Sequence, residues 1–105
     1  MAVFRILEAT ARPGAIERLS QLLVQQEQDV VANAEGIVFV QSLRSGDSVL
    51  AVSSWRTVED MQRYLDQPVT SAFYQALPEL LMGRPSVRTY EVISPDGGGN
   101  GWGSA

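Results

Sequence analysis

Cysteine, histidine and lysine are absent from the 105-residue chain, and all eight basic residues are arginine. Without Cys there is no disulfide framework, no thiolate nucleophile and no iron–sulfur ligation. Without His or Cys a zinc site would have to rest on carboxylates alone, so no metal site is expected. Without Lys there is no Schiff base, which removes pyridoxal and class I aldolase chemistry. A serine would lack its usual His or Lys base, which removes a hydrolytic triad. The proton-transfer groups that remain are Asp, Glu, Tyr, Arg, the termini and the substrate itself. An enzyme built from this set draws much of its chemistry from substrate or cofactor.

Long apolar runs are missing too; none approaches the ~20 residues of a membrane helix. Met1 to Leu7 is a short apolar run broken by Arg5 and followed by Glu8, without the features of a signal peptide. A cytoplasmic location with no membrane association is expected. Twelve acids against eight Arg give a net charge of −4. That argues against a nucleic-acid or anionic-membrane binder, because phosphates attract clustered positive charge. A 45% hydrophobic, 19% charged composition is that of an ordinary globular chain. The length suits one domain, read as residues 1–94, with a Gly-rich, flexible C-terminal tail over 95–105 that carries Trp102.

Val3 to Thr10 alternates as a strand, with Phe4, Ile6 and Glu8 on one face and Val3, Arg5, Leu7 and Ala9 on the other. A helix is predicted from about Pro13 to Asn33, its apolar stripe running through Ile16, Leu19, Leu22, Leu23, Val30 and Val31. Ile37 to Leu43 and Val49 to Trp55 form a hairpin across Ser45-Gly46-Asp47-Ser48. Leu50 and Val52 face one way; Val49, Ala51, Ser53 and Trp55 face the other. Thr57 is placed to cap a helix, and Asp66-Gln67-Pro68 breaks it and starts another. The next apolar stripe extends to Leu81, kinked or restarted at Pro78. Val87 to Ile93 is the last strand.

This order, strand–helix–strand–strand–helix–strand, is the α+β, ferredoxin-like βαββαβ arrangement with an antiparallel sheet. The first three strands carry apolar residues on both faces, the mark of a sheet buried twice over. Helices cover one face only, so a second copy of the chain is expected on the other, making a homodimer.

Trp55 closing a strand, the Pro68 break, the aromatic helix around Phe73, Leu81-Met82-Gly83 and the Tyr90-Glu91-Val92 strand together resemble the antibiotic-biosynthesis monooxygenase (ABM) family. Strand one, helix one and the Glu35-Gly36 turn fit as well, so the resemblance spans roughly nine-tenths of the chain. It implies a dimeric α+β barrel. It also implies a cofactor-independent monooxygenase that uses O2 on an electron-rich phenol, naphthol or quinol. The alternative is a non-catalytic dimer of the same fold that binds a small aromatic molecule. The haem-degrading branch of the family uses an Asn, a Trp and an iron-ligating His at positions occupied here by Leu7, Tyr64 and Phe73, so haem degradation is not expected. The polyketide oxygenases match at Trp55 but carry an Asn and a Tyr where this chain has Ala51 and Met61.

On this resemblance Trp55 and Tyr64 are the candidate catalytic residues, the indole stacking on the substrate and the phenol hydrogen-bonding to it. Leu7, Ala51, Ser53, Met61, Phe73 and Leu77 are the candidate substrate-binding walls. Each has a structural reading beside the functional one. Trp55 also fills a core, Tyr64 also serves as a half-buried residue with a wet hydroxyl, and Phe73 and Leu77 also form a helical core stripe. Arg5 reads as a surface ion pair, or as an anion-stabilising group if its face lines a pocket. Tyr74 is expected to turn outward, and no general base is apparent. Gly97 to Gly101 is not a phosphate loop, because no helix follows it.

Overall fold

A computed structural model describes residues 1–94; the Gly-rich tail expected from residue 95, with Trp102, lies outside the described residues. The elements in chain order are β1 (Val3–Thr10), α1 (Ile16–Asn33), β2 (Ile37–Ser45), β3 (Ser48–Trp55), α2 (Val58–Leu65), α3 (Pro68–Ala76) and β4 (Ser86–Glu91). The four strands form one antiparallel sheet in the order β2-β3-β1-β4. This is the ferredoxin-like α+β fold, with the helices against one face of the sheet.

Local chemistry sets most of the boundaries. The β2–β3 hairpin closes in two residues, with Ser45 opposite Ser48 and Gly46 at φ +60°, a value glycine adopts without steric cost. Thr57 caps α2 by accepting a hydrogen bond from the Asp60 backbone N–H at 3.0 Å. Pro68 opens α3, where its missing N–H has no partner to lose.

Several boundaries and faces differ from the sequence expectation. Strand β2 runs to Ser45 rather than Leu43, because the hairpin pairing continues to Ser45 opposite Ser48, and β3 and β4 each begin one residue earlier, at Ser48 and Ser86. Helix α1 begins at Ile16 rather than Pro13, because Gly14 sits at φ +80°, which a right-handed helix does not contain. Val31 is 66% exposed and falls off the buried stripe of Leu19, Leu23 and Val30. Helix α3 stops at Ala76 and does not restart, since Pro78 has no N–H to offer the Tyr74 carbonyl. The segment beyond stays packed without a helix: Leu77, Leu80 and Leu81 are buried, and Arg12 donates to the Leu81 and Pro78 carbonyls at 2.9 and 3.1 Å. Strand β4 ends at Glu91 rather than Ile93, because its partner β1 begins at Val3; one further bond runs from the Val92 N–H to the Ala2 carbonyl.

The alternation read from the sequence is the alternation observed. Val3, Leu7, Ala9, Val49 and Trp55 are buried under the helices. They fall into two clusters. One joins Leu7, Leu19, Leu23, Phe73, Leu77 and Leu80; the other joins Val3, Val30, Trp55, Met61 and Tyr64. On the outer face Phe4, Ile6, Leu50 and Val52 are only half-buried, while Phe39 and Leu43 are exposed. Phe4 and Phe39 pack together there at a centroid distance of 5.5 Å. No helix of the described residues covers this apolar face.

Candidate functional site

The seam between the two clusters is a cavity. Its floor is the helix side of β3, where Ala51 and Ser53 present small side chains beside the Trp55 indole. Strand register places Ser53 between Val40 and Arg5, and Ala51 between Ser42 and Leu7. Leu23 and Val30 of α1 form one apolar wall, and Phe73 of α3 the other. The enclosed space is about 80 Å³ and opens to solvent. A cavity of ~150 Å³ takes one benzene ring, so a ring here must extend into the mouth.

Two polar poles face each other across this floor. Glu27 of α1 accepts a hydrogen bond from the Ser42 hydroxyl of β2 at 3.0 Å. On the opposite side the Arg5 guanidinium of β1 donates to the Tyr74 hydroxyl of α3. All four residues line the cavity, and Glu27 and Arg5 are its charged groups among the described residues. Arg5 makes no ion pair among the described residues, so the surface pairing expected for it gives way to this inward contact. Tyr74 turns inward rather than outward, its ring edge against Phe73 at 5.4 Å.

The predicted site residues divide. Leu7, Ala51, Ser53, Trp55 and Phe73 come together around the cavity. Met61 and Tyr64 lie behind Trp55 in the adjoining cluster, and Leu77 lies in the other cluster; none of the three is on the cavity wall. The indole N–H of Trp55 donates to Ser53 Oγ at 3.0 Å, and its ring meets Tyr64 at 5.8 Å. Tyr64 is 3% exposed, so its hydroxyl is not wet. It donates to Asp29 Oδ2 at 2.6 Å and accepts from Gln26 Nε2 at 3.0 Å. Burial, then the bond to Asp29 and that carboxylate's charge, hold the Tyr64 phenol well above its ordinary pKa. Tyr64 is therefore a neutral donor committed to α1. Through the Gln26 amide, which does line the cavity, it is one residue removed from the space.

Sequence reasoning missed Gln26, Glu27, Ser42 and the inward turn of Tyr74. A signal for two of them exists. The α1 stripe of Leu19, Leu22 and Leu23 resumes only at Val30, and the turn between, where an apolar residue would continue it, holds Gln26 and Glu27. Polar residues at inward positions of an amphipathic helix mark a lined cavity or a satisfied network. No three carboxylates converge on a point among the described residues.

Solved structures share this fold along nearly their whole length. Rv0793 from Mycobacterium tuberculosis aligns with a TM-score of 0.83 at 19% identity, over 90% of this chain and 97% of that one. A provisionally named antibiotic biosynthesis monooxygenase from Deinococcus radiodurans aligns at 0.82 and 20% identity, over 90% and 95%. A protein of unknown function from Nitrosomonas europaea aligns at 0.77 and 14% identity, over 90% and 92%. The chain thus has the fold of the antibiotic biosynthesis monooxygenases. No protein-family model matches the sequence, and no curated protein matches it.

Proposed function

We propose that the protein is a cofactor-independent monooxygenase that binds one electron-rich ring, a phenol or quinol, between its sheet and helices and oxidises it with O2. The observation that carries this reading is the cavity itself. It is a slot floored by Ala51 and Ser53, walled by Trp55 and Phe73, with a polar group at each end. The chemistry needs no external reductant. A phenol ring plus O2 gives a quinone plus water, so the substrate supplies the electrons. Triplet O2 reacts slowly with closed-shell molecules, and an aromatic anion is the form that gives up an electron. The pocket's task is to favour that anion and exclude water. A naphthol would extend further into the mouth than a single ring. The apolar outer face of Phe4, Ile6, Leu50 and Val52 supports the homodimer, since burying it against its twin removes that surface from water.

A second reading, a binding protein of the same fold, has its own support. The Trp55 N–H and the Tyr64 hydroxyl are both spent on protein partners. The deciding experiment follows O2 consumption by the purified metal-free and flavin-free dimer with a panel of phenols and quinols. Consumption above the spontaneous rate, lost on filling the slot by Ala51→Leu, supports the oxygenase. Tight binding of the same compounds without O2 uptake supports the binding protein.

A further inference from the structure

The two poles of the cavity are chemically opposite, and their placement selects a ligand. Strand order sets β2 and β1 on either side of β3, and Ser42 lies two residues along the strands from the Arg5 row, so their backbones stand diagonally about 12 Å apart. Glu27 comes down from α1 over the Ser42 side, and Tyr74 comes down from α3 over the Arg5 side. A single ring with an oxygen at each end, plus one hydrogen bond per oxygen, spans about 11 Å. Ser42 holds only Oε1 of Glu27. We propose that Glu27 is the proton acceptor of this site and Arg5, steadied by Tyr74, the holder of the resulting charge, for a ring whose hydroxyl is conjugated to a second oxygen on its opposite edge. This rests on the reading of the cavity as an aromatic site.

The step balances within the pocket. The phenolic O–H bond breaks, and an O–H bond forms on the Glu27 carboxylate. The electron pair stays with the ring, and conjugation carries its charge to the far oxygen, beside the guanidinium. One cation and one anion are present before and after. The site therefore takes on no additional buried charge, which is the term that opposes ionisation in a partly dry cavity. A ring whose second oxygen is not conjugated to the first keeps its charge on the far side of the site and gains less from Arg5. The pairing thus discriminates between positional isomers of the same compound.

The test uses 4-nitrophenol, a single ring with a hydroxyl and a nitro group at opposite ends and a yellow anion, against 3-nitrophenol, which lacks the conjugation. Below the free ligand's pKa, binding of the 4-isomer to the intact protein is expected to raise its anion-to-neutral ratio by about tenfold, the effect of a cation near an acid. No proton passes to the buffer, because Glu27 takes it. The 3-isomer binds with a smaller rise. Arg5→Met keeps binding and loses the rise, Arg5→Lys restores part of it, and Glu27→Gln releases one proton per anion bound. If both isomers bind but ionise alike, or if Arg5→Met leaves the ratio unchanged, the assignment is overturned while the aromatic site stands. If neither isomer binds, the aromatic site falls with it. The isomer comparison needs no variant, so a variant that fails to fold does not shield the proposal.

Discussion

Removing one oxygen atom from Tyr64 separates a buried network from a wet phenol. In Tyr64→Phe the ring stays against Trp55, but Asp29 loses its donor and the Gln26 amide loses its acceptor. A hydrogen bond to a charged group is worth ~1.5–3 kcal/mol, and here the polar partners are left in a part-buried place. The expected loss is about 2 kcal/mol, or roughly 10 °C in Tm for a domain of this size. The pH dependence gives a second readout. The Tyr64 phenol binds its proton more tightly in the folded state than in the unfolded chain, where tyrosine titrates near ~10. Its contribution is therefore complete below pH ~10 and shrinks as pH rises above it, by about 1.4 kcal/mol per pH unit. Denaturant unfolding of wild type and Tyr64→Phe, at one protein concentration, should show the gap between them closing by about 1.4 kcal/mol from neutral pH to pH ~11. A neutral-pH gap below about 0.5 kcal/mol, or one that does not change with pH, would refute the buried network.

Gly36→Ala should cost well over 1 kcal/mol in chemical unfolding. The residue sits at φ +77°, and an added Cβ would meet the Asp60 carboxylate at 2.1 Å, dislodging it from Arg63. Trp55→Ala should lose ~3–5 kcal/mol, because a 2%-exposed indole leaves a void between two clusters. A loss under ~1 kcal/mol would mean that the cavity collapses freely. Ile6→Asp places a carboxylate on the uncovered face, between Val52 of β3 and Arg88 of β4. Sedimentation at micromolar concentration should show wild-type dimer and variant monomer, and a wild-type monomer would remove the dimer.

The fold class, the faces of the strands and the floor of the cavity were legible in local pattern. Period-two alternation is a property of one strand, so Leu7, Ala51, Ser53 and Trp55 could be set on the helix side without knowing any partner. The Gly46 turn and the Thr57 cap were legible for the same reason, since each is decided within four residues. Where Pro78 would leave the chain was not, because Arg12, 69 and 66 residues away from the carbonyls it holds, organises that segment. The roles of the polar groups in the cavity and its surroundings came from long-range packing. Arg5 reaches Tyr74 across 69 residues of sequence, Tyr64 reaches Asp29 across 35, and Ser42 reaches Glu27 across 15. Helical periodicity ranks residues by apolar face, and it passes over Gln26 and Glu27 because they are polar. The packing of α1 and α3 over a floor of small side chains turns those residues inward and gives each a partner, and no local period in the chain encodes that packing.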